Sequence, residues 1–185
     1  MTHVPVRKIT TLGILAALSI TLVFFIHFPI FPSAAFLEYD PADIPIFIAT
    51  FAFGPAWGFL LTVVVSVIQG ITVSAASNWI GIVMHILATG SFALVAGAIY
   101  QRHKTLGRAV VALVVGVLLM AAVMTVCNLI FTPLFMGAPI ETVVAMLLPV
   151  IIPFNLLKAG INAAVTFVVY KPLSRILVGQ NRQTA

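Results

Sequence analysis

The chain has 185 residues, is 62% hydrophobic, and devotes only 7% of its length to Asp, Glu, Lys and Arg. A soluble domain normally carries about 25% charged residues, so a water-covered surface is excluded and a single integral membrane domain over residues 1–185 is expected. The net charge of +5 does not point to nucleic acid, because the basic residues cluster where apolar segments end, which is a topology signal.

The expected fold class is all-α, with six transmembrane helices. The first helix runs from about Lys8 to Phe28. No charge follows Lys8 until Glu38, a run longer than the about 7–15 apolar residues of a cleavable signal, so the helix is read as retained. PIFPSAAFLEY, from Pro29 to Tyr39, reads as a loop. The second helix opens at Asp40-Pro41-Ala42-Asp43, with Asp40 as the cap, Pro41 at the first position and Asp43 in the first turn. It stops at Gly54-Pro55. About 13 residues span roughly 20 Å, short of a bilayer core of about 30 Å. This helix is therefore expected to sit partly inside the protein, with the loop folded over its outer end.

The third helix runs from about Ala56 to Ile71, and a turn from Ser74 to Asn78 follows. The fourth runs from Trp79 to about Gln101 and the fifth from about Arg108 to Phe131. Thr132-Pro133 then reads as the opening of a longer connection that contains a short helix starting near Pro139 and interrupted by Pro149 and Pro153. The sixth helix runs from Pro153 to about Leu177.

The charges test this layout. With six spans, Arg7, Lys8, Arg102, Lys104, Arg108, Lys171, Arg175 and Arg182 fall on one face, and Glu38, Asp40, Asp43 and Glu141 on the other. Five or seven spans break the sorting. The positive-inside rule makes the basic face, with both termini, cytoplasmic.

Lys158 is the basic residue left over. It lies about five residues into the sixth helix, roughly 7 Å below its outer end. Asn155, Lys158 and Asn162 are spaced i, i+3 and i+7 and share one face. Asn128 lies at a similar depth on the fifth helix, and Gln69 and Asn78 flank the outer turn between the third and fourth. A snorkelling lysine would reach for the headgroups. The first turns of a helix disfavour a cation, however, and ionisable groups in membrane helices usually face an interior or a cavity. An ammonium and amides, each amide offering donor and acceptor, suit a flat heterocycle edge with alternating N–H and C=O groups, between apolar walls. Asn162 by itself reads as a helix-packing amide.

No hydrolase, zinc-protease or P-loop motif is present, so no catalytic residue, metal or cofactor is assigned. His27 and His85 read as packed or interfacial side chains. Cys127, the single cysteine, reads as a buried structural thiol.

Three segments carry a resemblance. FLEYDPADIPIFIATFAFGPAWG (Phe36 to Gly58), CNLIFTPLF (Cys127 to Phe135) and PFNLLKAGI (Pro153 to Ile161) resemble the S components of energy-coupling factor vitamin transporters, most closely the riboflavin-specific members. The resemblance implies a multi-pass subunit of the cell membrane that captures riboflavin or a close flavin as transported ligand. Its partners would be a transmembrane scaffold and two ATPase subunits. It also implies that Asn128, Asn155 and Lys158 contact the isoalloxazine ring and that the loop around Leu37, Glu38 and Tyr39 closes over it. The family meets its scaffold through small residues on the first helix, commonly Ala-x-x-x-Ala. Here the nearest pattern is Gly13, Ala16 and Ala17, a Gly-x-x-x-Ala. Competing expectations are an S component for another vitamin, of the pantothenate or thiamine type, and a small proton-coupled carrier. The second is disfavoured by the lack of an intramembrane Asp or Glu.

Overall fold

A computed structural model describes residues 5–177 of the chain. Among them the helices are α1 (Val6–Phe25), α2 (Asp43–Phe53), α3 (Pro55–Ile71), α4 (Asn78–Arg102), α5 (Leu106–Met136), α6 (Ile140–Met146) and α7 (Ile152–Leu177). The segments Val6–Phe25, Ala75–Arg102, Leu106–Met136 and Ile140–Pro172 are long and apolar enough to cross a membrane, while α2 and α3 are shorter apolar helices. Arg182, assigned to the basic face from sequence, lies outside the described residues.

The short second helix is the centre of the bundle. Ile46, Phe47, Ala49 and Thr50 are fully buried, and α2 packs on α1, α3, α4 and α7. A helix that is apolar all round is stable when other helices surround it. Phe47 stacks on Phe92 of α4 with ring centroids 3.7 Å apart, and Phe51 stacks on Tyr100 at 4.6 Å. Gly54 ends the helix at φ 102°, a conformation that residues with a Cβ rarely adopt. Pro55 then opens α3, where a missing N–H costs no helical bond.

Three boundaries differ from the sequence expectation: α2 begins at Asp43 rather than Pro41, with Ala42 in the cap position, and two helix ends move. The first helix ends at Phe25 rather than Phe28, because Phe28–Pro29 (β1) pairs antiparallel with Glu38–Tyr39 (β2) and closes the loop at its base. The His27 ring nitrogen Nδ1 donates to Val23 O at 3.0 Å, satisfying a carbonyl left over at the helix end. The fifth helix does not stop at Phe131 but runs through Pro133 to Met136. Proline removes one hydrogen bond there, and such losses are tolerated in membrane helices where neighbours re-satisfy the freed groups. Gly137, left-handed at φ 61°, caps the end, its N–H bonded to Pro133 O.

The basic residues at one end of the bundle converge. Lys8 Nζ sits 4.1 Å from the Trp57 ring, and Lys104 and Lys171 border one small cavity beside Tyr100 and Tyr170. At the opposite end the loop between α1 and α2 packs on α6 and on the π-helical turn Leu147–Ile151. A separate apolar cluster of Ala34, Leu37, Val143, Ile151 and Phe154 forms there.

Candidate functional site

Between this outer cap and the bundle lies a cavity of about 190 Å³. One wall comes from α5 and α7 and carries Asn128, Thr132, Asn155 and Lys158. Another wall comes from α3, α4 and the turn between them, and carries Ser66, Gln69, Ser74 and His85. Phe36, Leu37, Glu38 and Asp40 line it from the loop between α1 and α2, and Asp43 lies where α2 begins. Met84, Met120, Met124 and Phe154 fill in apolar surface between the polar groups. Most ligand pockets share this composition, apolar with a few placed polar atoms.

The amides of the first wall are held by their own helices. Asn128 Nδ2 donates to Met124 O at 2.8 Å, and Asn128 Oδ1 accepts from Thr132 Oγ1 at 2.8 Å. Asn155 Nδ2 donates to Ile151 O at 2.8 Å. An amide has two N–H donors and an oxygen with two lone pairs, so each keeps hydrogen-bonding capacity beyond its helix contact. Lys158 does not snorkel. Its Nζ donates to Asp40 Oδ2 at 2.6 Å and to Glu38 O at 3.3 Å. An ammonium has three donors, which leaves one more for a ligand.

One turn deeper, Asn162 joins that loop, α2 and α7. Its Nδ2 donates to Asp40 O at 3.0 Å and reaches Asp43 Oδ2 at 3.4 Å, while its Oδ1 accepts from Tyr39 OH at 3.1 Å. Burial first, and then the Asp40 carboxylate, push the Tyr39 hydroxyl above its usual range against the opposing pull of Lys158, so it remains a donor to Asn162. Asp43 Oδ1 accepts from Thr89 Oγ1 at 2.8 Å and lies 2.9 Å from His85 Nε2. His85 Nδ1 is 3.0 Å from Ser66 Oγ.

The structure therefore brings Asn128, Asn155, Lys158, Gln69, Leu37 and Glu38 to one cavity. Tyr39 is buried behind the lining, against Asn162 and the Phe28 ring. Asn78 is exposed at the start of α4 and outside the lining. Its φ of 52°, a left-handed conformation that Asn adopts more readily than most residues, accounts for it as a turn residue. On α1, Gly13 and Ala17 are exposed, a Cβ at Gly13 would meet nothing within 4 Å, and Ala16 turns partly into the core.

Three residues do more than the sequence suggested. Asp43 does lie in the first turn of α2, whereas Asp40, read from sequence as its cap, stands before a helix whose cap position is Ala42; both acids, read as outer-face charges, are only 7% and 0% exposed. Asp40 Oδ1 accepts from Ala42 N at 3.1 Å in the turn before the helix, and its second oxygen neutralises Lys158. A buried carboxylate needs such partners. His85, read as a packed or interfacial ring, is packed through bonds to Ser66 and Asp43 and also lines the cavity. The Asp-Pro-Ala-Asp spacing in an otherwise apolar stretch was the available signal for the acids; nothing local pairs Ser66 with His85.

The comparisons with known proteins agree on one family. Residues 7–170 match the family model described as "ECF transporter, substrate-specific component". A riboflavin transporter, RibU, of Streptococcus thermophilus (strain ATCC BAA-250 / LMG 18311) is 31% identical over 182 residues, covering 93% of this chain and 85% of that protein. RibU of Staphylococcus aureus (strain TCH60) is 27% identical over 177 residues, covering 92% of each. A solved structure described as "Structure and mechanism of the S component of a bacterial ECF transporter" superposes with a TM-score of 0.79 at 28% identity, over 93% of this chain and 98% of that one.

Proposed function

The chain belongs to the substrate-specific components of ECF transporters, and we propose that it captures riboflavin or a close flavin for uptake through the cell membrane. A transporter component of this kind is not an enzyme. The observation that carries the reading is the wall formed by Asn128, Asn155 and Lys158. Two locked amides and one remaining ammonium proton converge on a cavity with apolar sides. They suit the N–H and C=O edge of the isoalloxazine ring, whose flat faces would lie against Met and Phe side chains. The relatives named as riboflavin transporters support the same ligand.

In this reading the single domain crosses the membrane six times, with both termini and the basic end cytoplasmic. The cap around Leu37 and Glu38 opens outward, admits the ligand and closes on it. The exposed Gly13 and Ala17 on α1 meet the scaffold subunit, and Ala16 supports that face from the core side. The scaffold and two ATPase subunits supply the energy, and the loaded subunit reorients against them. A proton-coupled carrier can no longer be set aside for want of a buried carboxylate, since Asp43 is one; family membership sets it aside instead.

The deciding experiment identifies the small molecule that purifies with the protein by mass spectrometry and titrates the emptied protein by flavin fluorescence quenching. Riboflavin in the first measurement and saturable quenching in the second are expected. A pantothenate- or thiamine-type ligand with no flavin quenching would overturn the reading.

A further inference from the structure

The basic end of the bundle has a cavity of its own, of about 180 Å³, that flavin capture leaves unused. Its floor is a set of interlocked rings. Phe51 of α2 stacks on Tyr100 of α4 at 4.6 Å, and Tyr170 of α7 meets the two edge-on at 5.5 and 5.8 Å. All three residues are buried, so the floor is fixed by packing. Lys104, in the connection between α4 and α5, and Lys171, on α7, line the same cavity from exposed positions. Two ammonium groups at one small cavity repel each other.

The start of α5 adds to the positive charge. Thr105 lines the cavity and caps this helix. Its Oγ1 accepts from Arg108 N at 3.3 Å and its carbonyl oxygen from Ala109 N at 2.9 Å. The N–H groups of Leu106 and Gly107 come before these, and the first N–H groups of a helix have no acceptor within it. They carry the positive end of the helix dipole. The chain has four Asp and Glu residues, and all four are placed elsewhere. Glu38, Asp40 and Asp43 line the flavin cavity, and Glu141 opens α6 beside the outer cap. No Asp or Glu side chain therefore offsets the charge of this cavity.

The donors available are ammonium groups, helix N–H groups and hydroxyls, which together suit an anion with several oxygens. Lysine is a common partner of phosphate, acting as a point charge. The rim is apolar: Leu106 and Phe167 line the cavity and are 57% and 38% exposed. A phosphate that carries acyl chains can place its head between the lysines and lay its chains along these two side chains. We propose that this cavity binds a phosphate group, and that the phosphate belongs to the headgroup of an anionic phospholipid. A bound headgroup would tie the α4–α5 connection to α7. The site does not depend on the flavin reading; only its assignment to the cytoplasmic leaflet rests on the orientation proposed above.

The test uses the purified, delipidated chain in neutral detergent. It is titrated with phosphatidylglycerol, with phosphatidylcholine and with inorganic phosphate, reading bound lipid by native mass spectrometry and the melting temperature. Phosphatidylglycerol is expected to bind at least fivefold more tightly than phosphatidylcholine and to raise the melting temperature. Lys104→Gln and Lys171→Gln are each expected to weaken phosphatidylglycerol by roughly fivefold, the effect of one basic residue on an anionic lipid. Arg102→Gln removes a charge from the same end but outside the cavity lining, and is expected to leave binding within twofold. Stabilisation by inorganic phosphate, lost in the lysine variants and with no preference among lipids, would uphold the anion site and overturn the lipid as its occupant. Equal losses in all three variants would mean a diffuse basic surface and overturn the site. So would no lipid preference together with no response to phosphate. None of these measurements uses a flavin, so their failure is distinct from failure of the proposed function.

Discussion

The bundle core and the outer cap are both apolar, yet they are built differently. The core wraps α2 with stacked rings, and its glycines let helices touch: a Cβ on Gly58 would collide with the Thr50 side chain, and one on Gly97 would lie 2.9 Å from Pro55 Cα. The cap is built on five buried residues: Ala34 and Leu37 of the loop between α1 and α2, Val143 of α6, Ile151 of the π-helical turn and Phe154 of α7. Its links to the bundle beneath include the Lys158 ion pair with Asp40 and the Asn162 contacts. Close packing leaves little room for small displacements, whereas a small cluster held through hydrogen bonds can separate as a unit. The core is suited to hold the cavity floor still, and the cap to move.

The sharpest way to break this contrast is Gly58→Leu. Overpacking typically costs about 1–3 kcal/mol, and here the new side chain must displace α2 from α3. Loss of monodisperse folded protein in detergent is expected; a wild-type melting temperature would show that the core is not tightly packed. Lys158→Met comes next. It removes the ammonium at the joint between the two regions. A charge-assisted hydrogen bond contributes about 1.5–3 kcal/mol, so riboflavin binding is expected to weaken by roughly 10- to 150-fold. Wild-type affinity in that titration would remove Lys158 from the site.

Leu37→Ala probes the cap alone. It is expected to speed flavin dissociation in stopped-flow by about tenfold while lowering the melting temperature by no more than a few degrees, because a surface cluster can partly collapse around the gap. Bound riboflavin is also expected to slow proteolysis near Glu38. Equal cleavage with and without ligand would mean that the cap does not close. The smallest effect on the isolated chain is expected from Gly13→Leu and Ala17→Trp. Both positions face outward, so binding and melting stay at wild type while uptake by the reconstituted transporter is lost. Retained uptake would place the scaffold contact elsewhere.

Much of the helical layout was legible because apolar runs, Gly54-Pro55 and the charge sorting all report on the same boundaries. Asn155 and Lys158 were legible as a pair because they share a helix face, and a single helix wheel reveals that. The place of Leu37 and Glu38 at the cavity followed from a short helix beneath an apolar loop. Pro133 misled because the rule that proline ends a helix assumes a helix competing with water; inside a bundle that competition is weak. Asp43 and His85 stand 42 positions apart, on helices whose mutual rotation no local spacing encodes. Without that partner, Asp43 could be read only as a first-turn acid. Tyr39 sits beside two lining residues and yet points behind them, because the strand pairing turns alternate side chains to opposite sides.

The Lys158–Asp40 pair has an electrical consequence. A lone charge carried through the membrane field does work of about 2.3 kcal/mol per 100 mV. Paired at 2.6 Å, the two side chains contribute a dipole and no net charge to the reorientation proposed above. Lys158→Met leaves the Asp40 carboxylate uncompensated, whereas Lys158→Met combined with Asp40→Asn restores neutrality. Of these two variants, only the single one would make the reorienting step feel the voltage through this pair.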